Sequence, residues 1–366
     1  MSAHLFAMAP RRPFGRNFLP GPTDVHPEVM EALQQPLYAH RSPQMQALLE
    51  EVQPRLQRLF GTTQPVFIVT SSGTGLMEAA IRNAVHHRVL VVVGGYFGEM
   101  FARVAESCGR EVIRASVPPG RTIEPDQLEA FLDGPRVDAV ALVHSETSTG
   151  ALAPLEELAR VVRAQSDVLL LVDGVTSVGG LAVETDRWGV DFILTGSQKA
   201  LALPPGLAFG AASRRLLERA ETIDDAGFYF SAKRAVSVAR AHLPFSTPAL
   251  SLYFALQRQL RRINDQGGLP ARFERHRAMA ARVAQWVEGH PAVSLMTGEG
   301  RRSPTVSALR LPQGRDPASV AAALEERGYL VGAGLTPKLP TIRIGHMGDL
   351  EPAHVDALLA ELEPLI

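Results

Sequence analysis

Apolar residues along this chain collect in short unbroken runs, and between them lie stretches with apolar positions at helical spacing. From Pro65 the alternation is regular. Val66–Thr70, Arg88–Val93, Glu111–Val117, Ala139–His144, Val168–Val172, Asp191–Leu194 and Leu207–Ala211 are strand length and mostly lack a polar face. Such runs fit strands buried on both sides. Gly75–Val85, Gly98–Cys108, Pro125–Leu132 and Pro154–Ala164 read as the helices between them. Strands joined by helical crossovers predict an α/β fold, a large domain with a mostly parallel seven-stranded sheet covered by helices.

Both ends of the chain depart from that rhythm. Three prolines in 17–27 forbid a helix and predict an extended arm, followed by helices from about Glu28 and over Gln44–Phe60. After about Leu216 come two long helical stretches, Pro248–Asn264 and Ala271–Val287, separated by Gly267-Gly268. Strands at Thr305–Leu311, Tyr329–Gly332 and Thr341–Gly345 then alternate with helices at Pro317–Arg327 and Pro352–Leu362. This predicts a smaller C-terminal α+β domain. The expected division is an extension over 1–16, a large domain with its arm over 17–245, and a small domain over 246–366.

Composition narrows the function classes. The 366 residues carry a net charge of −1 with a pI near 6.8, and no basic run marks a nucleic-acid or anionic-membrane partner. A single cysteine, Cys108, excludes an internal disulfide and points to a reducing compartment; its setting reads as packing. The 11 histidines are scattered, so no metal site is expected. Residues 1–16 are broken by Pro10-Arg-Arg-Pro13 and lack the apolar core of a signal peptide, so a cytoplasmic protein is expected.

Lysine occurs only at Lys199, Lys233 and Lys338, although Lys and Arg together number 37. Where nearly every cation is arginine, a lysine set in Gly196-Ser-Gln-Lys-Ala-Leu-Ala-Leu-Pro-Pro-Gly206 points to amine chemistry, with apolar snorkelling as the alternative. Three further polar stations follow predicted strands and so fall on one sheet edge. Thr70-Ser-Ser-Gly-Thr-Gly75 opens a helix, as an anion cradle or an ordinary N-cap. It lacks the Walker lysine and the dinucleotide glycine spacing, which favours a phosphate monoester. His144-Ser-Glu-Thr-Ser-Thr-Gly150 closes a buried strand, and Asp173 ends another, as a ligand's partner or a turn residue. A phosphate cradle, a carboxylate and a loop lysine together match pyridoxal 5′-phosphate, with its phosphate, pyridine nitrogen and aldehyde.

Pro20-Gly-Pro-Thr23, Ser72-Gly-Thr74, Glu146-Thr-Ser-Thr-Gly150, Val172-Asp-Gly-Val-Thr-Ser177, Gly196-Ser-Gln-Lys-Ala200 and Arg343-Ile-Gly345 occur in that order. On these motifs the chain, from about Phe18 to Gly348, resembles the class V aminotransferases, within them the alanine–glyoxylate and serine–pyruvate group. The resemblance implies the type I fold of pyridoxal-phosphate enzymes and a homodimer with active sites at the subunit interface. It implies Lys199 as the Schiff-base lysine and Asp173 as the partner of the pyridine nitrogen. Thr147 is similar to the residue that bonds the ring hydroxyl. Ser72, Gly73, Thr74 and Gln198 match phosphate-side positions, and Phe97 stands where relatives put an aromatic ring. Ser246, with Thr247 beside it, matches a hydroxyl that reaches the other subunit's phosphate. Arg343 matches the arginine that pairs with the substrate carboxylate, and Gly21 lies in the substrate-side arm. Two departures accompany the likeness: Leu243 stands where some relatives have tyrosine, and Phe97 where many have tryptophan.

The expected activity is a ping-pong transamination from a small amino acid, alanine or serine, to glyoxylate or pyruvate. Another class V enzyme is the rival, a transaminase with a different donor or a desulfurase-like lyase. Desulfurases carry a histidine before the lysine and a catalytic cysteine far downstream; here Gln198 precedes Lys199 and the one thiol comes early. A non-catalytic cofactor-binding protein is the last alternative. Arg41, in His40-Arg-Ser-Pro43, is the other arginine considered for a second carboxylate, against a structural role.

Overall fold

The computed structural model describes residues 12–335 and 340–366; part of the 1–16 extension and Lys338 therefore lie outside the described residues. Seven strands form the main sheet in the order Phe67–Thr70, Leu207–Ala212, Phe192–Gly196, Leu169–Asp173, Ala139–Val143, Arg88–Val93 and Glu111–Ser116. All pairs are parallel except the two made by Leu207–Ala212. The predicted fold class holds.

The apolar runs lack alternation because successive residues enter two different cores. Leu90, Val140, Leu170 and Ile193 pack on one face with the helices Pro43–Phe60 and Leu250–Asp265. Val89, Ala141, Leu171 and Phe192 pack on the other with Gly73–Ala84 and Tyr96–Ser107. With a strand's period of two, both faces must then be apolar.

A second sheet is built from Asn17–Phe18, Leu330–Ala333, Thr341–Gly345, Val306–Arg310 and Ser294–Leu295. Its core joins Phe18 to Met279, Leu309, Ile342, Ile344, Val355 and Leu358. The arm thus belongs to this sheet by pairing, with Phe18 beside Val331 in parallel register. The helix Leu250–Asp265 sends Tyr253, Phe254, Leu256 and Ile263 into the core of the large sheet instead. Among the described residues no helix is long and apolar enough to cross a membrane, and no acidic, histidine or cysteine group is placed to hold a metal.

Local differences from the pattern have local causes. Arg214–Ala220 and Ala232–Arg240 are helices that the periodicity missed. The second buries only Ala232, Ala235, Val236 and Ala239, small residues that give a weak apolar signal, although Ser231 caps it. Gly73–Ala84 starts two residues earlier than expected, which puts Ser72 at the N-cap and Gly73 inside the helix.

One polar cluster ties the second sheet to the lysine loop. Arg272, fully buried on the helix Gly268–Glu288, donates to Asp349 at 2.7 Å and to the carbonyl of Ala200 at 2.5 Å. Gln259 donates to the other Asp349 oxygen at 2.9 Å. The His276 ring nitrogens lie 2.8 Å from the Gly180 carbonyl and 3.2 Å from the Gly348 carbonyl, and one of them donates. Its ring stays neutral, since burial lowers its pKa to about 3. Removing one partner of a buried ion pair leaves an uncompensated charge. Asp349→Ala should therefore lower stability by about 3–5 kcal/mol. Equilibrium urea unfolding checks this, and a loss below about 1 kcal/mol, the size of a surface pair, would show that the cluster contributes little.

Candidate active site

The predicted polar stations meet at the carboxyl edge of the main sheet, where crevices form in open α/β folds. A cavity of about 190 Å³ opens there, lined by Ser72, Gly73, Thr74, Phe97, Thr147 and Asp173 among others, with Gly21, Gln198 and Lys199 on its arm side. Ten of the twelve sequence-predicted positions are accounted for by this cavity and its surroundings once Arg343 is added. Ser246, half-buried, and Thr247, exposed, do not line it. They lie close to the strand end at Thr70, whose Oγ1 accepts from the Ala249 amide at 3.3 Å.

Lys199 follows the strand Phe192–Gly196, in a tight turn that its neighbours hold. Ser197 Oγ donates to the Pro204 carbonyl at 2.7 Å and accepts from Leu207 N at 3.2 Å. The arm closes the turn from the other side. Thr23 N donates to the Gln198 carbonyl at 3.0 Å, and Thr23 Oγ1 donates to the Lys199 carbonyl at 3.1 Å. Lys199 Nζ donates to the Pro20 carbonyl. Gly21, with a φ of +121°, leaves no room for a side chain, since a Cβ there would stand 2.7 Å from the Lys199 stem. Gly345 permits the same approach, because a Cβ on it would lie 2.5 Å from the Leu19 carbonyl oxygen.

Asp173 ends the strand Leu169–Asp173, and its Oδ1 accepts from the Val175 amide at 2.7 Å. Both titratable groups are out of water: Asp173 is 2% exposed and Lys199 7%. Burial pushes the Asp173 carboxyl up to about 7, opposed by the Val175 N–H and reinforced by the charge of Glu146. Burial pulls the Lys199 amine down to about 8, opposed by Asp173 and helped by Arg343. Each group waits for a partner that stabilises its charge.

At the other end of the cavity the helix Gly73–Ala84 begins with Ser72 at its N-cap and no side-chain cap bond. The N–H groups of Gly73 and Thr74 are free to meet an anion, while Gly75 N donates to the Ser72 carbonyl at 3.1 Å. Gly73 is packed, since a Cβ would stand 2.7 Å from a Val175 methyl. Thr147 Oγ1 lies 2.6 Å from Thr176 Oγ1, and the Phe97 ring centroid lies 5.7 Å from Lys199 Nζ.

Arg343 projects from the second sheet on Thr341–Gly345. One nitrogen donates to the Ala333 carbonyl at 3.0 Å, while its buried Nε has no partner among the described residues. Burial lowers its pKa. Arg41 is exposed. Sequence reasoning missed Met77, Val175 and Thr176, which also line the cavity, and gave Glu146 no role. Thr176 and Glu146 sit inside quoted motifs, so position relative to Asp173 and Thr147 was the available signal.

Comparison with known proteins agrees with this geometry. Residues 17–348 match the family described as Aminotransferase class-V. An uncharacterized aminotransferase of Methanocaldococcus jannaschii is 36% identical, covering 94% of this chain and 91% of that protein. L-aspartate–glyoxylate aminotransferase of Paracoccus denitrificans is 33% identical, covering 92% and 87%. The crystal structure of alanine–glyoxylate aminotransferase from Nostoc sp. superposes with a TM-score of 0.91 at 33% identity, covering 98% of this chain and 97% of that one. The chain belongs to the class V aminotransferases. It is a transaminase of fold type I, and its cofactor is pyridoxal 5′-phosphate. The residues present fit that group, since a free helix N-terminus, a buried carboxylate and a buried amine line one cavity.

The shifted groups make cofactor-free stability depend on pH. Asp173 binds a proton in the folded protein up to about pH 7, whereas the unfolded chain releases it near 4. Stability therefore falls as pH rises between those values, by at most about 1.4 kcal/mol per pH unit for one proton. Lys199 has the opposite effect from about 8 upward, where the unfolded chain keeps a proton that the fold has lost. Asp173→Asn should remove the fall between pH 5 and 7. Urea unfolding of cofactor-free parent and variant checks this, and equal slopes would mean that Asp173 is ionised throughout.

Proposed function

We propose that this enzyme moves the amino group of a small neutral amino acid, alanine or serine, to a small 2-oxo acid, glyoxylate or pyruvate, in a ping-pong cycle. The observation that carries this reading is the cation inventory of the site. Lys199 is the one cation among the residues lining the cavity, and Arg343 stands beside it on the second sheet. One guanidinium suffices for the carboxylate that every amino acid donor brings. Among the described residues of one copy no further arginine lines the cavity for a second carboxylate, even though a relative's name specifies aspartate.

Pyridoxal phosphate, when bound, supplies the sink for the electron pair left at the donor's α-carbon. The residues of the chain do the rest. Ser72, Gly73, Thr74 and Gln198 would hold the phosphate, with the Gly73–Ala84 N-terminus adding its dipole. Asp173 would pair with the pyridine nitrogen and hold its proton, a partnership that would favour the ionised carboxylate at neutral pH. Thr147, held by Thr176, bonds the ring hydroxyl, and Phe97 packs against the ring. Lys199 would carry the cofactor at rest, and its amine, once freed, would serve as the acid–base group that takes the donor's α-proton and hands it back. Arg343 grips the carboxylate and fixes which bond at the α-carbon faces the ring. Gly21 keeps side chains out of the space between the arm and the donor.

The reading includes a homodimer in which Ser246 and Thr247 of one copy reach the phosphate held by the other. Supporting it, Phe228, Tyr229 and Leu243 near this segment are exposed, Phe228 by 75%. A cytoplasmic location is supported by the lone buried thiol, Cys108. The domain division at 245/246 belongs to the same proposal, with the helix Leu250–Asp265 packing back onto the large sheet.

A screen of amino donors against 2-oxo acids, following formation of the pyridoxamine form, tests the substrate reading. Alanine or serine with glyoxylate should lead, and a clear preference for aspartate would overturn it. Borohydride reduction of the holoenzyme and peptide mapping should place the pyridoxyl label on Lys199. A label on Lys233 or Lys338 would refute the assignment. Arg343→Lys keeps the charge but loses the planar fork, so the donor's apparent Kd should rise at least about tenfold with cofactor affinity unchanged. An amine donor lacking a carboxylate should be indifferent to that change. Equal losses for both donors would give Arg343 a structural role only.

A further inference from the structure

The helix that carries Phe97 starts without a cap of its own. Tyr96–Ser107 follows Gly95, which has no side chain to meet the first N–H groups. Two residues from another strand loop take that place. Tyr96 N donates to Ser148 Oγ at 3.0 Å, and Phe97 N and Gly98 N each donate to Glu146 Oε2 at 3.1 Å. Glu146 Oε1 in turn accepts from Ser148 N at 3.0 Å and from Ser148 Oγ at 2.5 Å. Both side chains are buried, Glu146 at 4% and Ser148 at 1% exposure. Gly95 is required for the close approach, because a Cβ there would stand 2.3 Å from Ser148 Oγ and 2.6 Å from the Glu146 carboxyl carbon.

We propose that Glu146, supported by Ser148, is a positioning residue for transamination, which holds the Phe97 ring at the cofactor by capping its helix from outside. A carboxylate at a helix N-terminus is stabilised by the free N–H groups and the dipole, and in return it fixes where the first turn begins. The first turn is where Phe97 sits. A shift of the cap moves the ring relative to Lys199, whose Nζ is 5.7 Å from the ring centroid. The same negative charge raises the pKa of Asp173, Lys199 and Arg343, so Glu146 couples the aromatic wall to the proton balance of the site. The inference rests on the placement of Phe97 against the cofactor proposed above, and the Phe97 variant below tests that placement by itself.

The experiment compares holoenzyme variants Glu146→Gln, Phe97→Leu, their double and Ser148→Ala. It reads the visible circular dichroism of the bound cofactor, the pH midpoint of its absorbance, and kcat and KM for the donor chosen by the screen. Phe97→Leu and Glu146→Gln should each change the dichroism by at least about half and lower kcat about tenfold or more, with KM within about threefold, as for a misplaced group. The double should be no worse than the poorer single, because the two act through one contact. Glu146→Gln alone should also move the absorbance midpoint downward, since a negative charge that favoured the cations is gone. Ser148→Ala should change the dichroism in the same direction, and it decides the matter if Glu146→Gln does not fold. Multiplying losses in the double, or a Glu146→Gln that lowers only the unfolding midpoint, would overturn the proposal. An unchanged Ser148→Ala in place of an unfolded Glu146→Gln would do the same. An unaffected Phe97→Leu would remove the ring placement on which it stands.

Discussion

Keeping Lys199 and Asp173 out of water at the edge of one sheet is the constraint from which the rest of the structure follows. A buried amine and a buried carboxylate each favour the neutral form, so a small change in partner moves either one across neutral pH. That sensitivity suits the role proposed for Lys199, which alternates between attachment point and base. It also demands a rigid frame, because the field between two charges at low dielectric changes steeply with distance. Hence the crowding around Lys199: Thr23 on its main chain, Gly21 against its stem and Arg272 on the next carbonyl.

The frame spans both sheets. Asp173 ends a main-sheet strand and Lys199 follows one, whereas Arg343 and the arm come from the second sheet. Gly345 lets the arm's backbone approach, and Gly21 lets the Lys199 side chain approach the arm, where a methyl group would collide. Arg272, held by Asp349, joins the same two parts through its bond to the Ala200 carbonyl, a contact it cannot abandon cheaply. The Arg343 guanidinium and the Lys199 amine are thus mechanically linked through a few close contacts, whatever each does to the substrate.

Much of this was legible in the order of residues. Strands buried on both faces must be continuously apolar, so seven runs and the helices between them followed from periodicity. The scarcity of lysine drew attention to Lys199, and the small residues around Ser72 and the carboxylate at Asp173 followed from their places after strands. Sequence alone does not carry the contacts between distant segments. The pairing of Phe18 with Val331, the capping of a helix at Tyr96 by Glu146, and the packing of Leu250–Asp265 on the large sheet join residues far apart in the chain. Local propensity is blind to such contacts, because each end looks ordinary by itself. Periodicity therefore determined the layers and the chemistry-bearing positions, and only the tertiary structure decided what surrounds them, since burial and charge depend on neighbours that folding alone brings together.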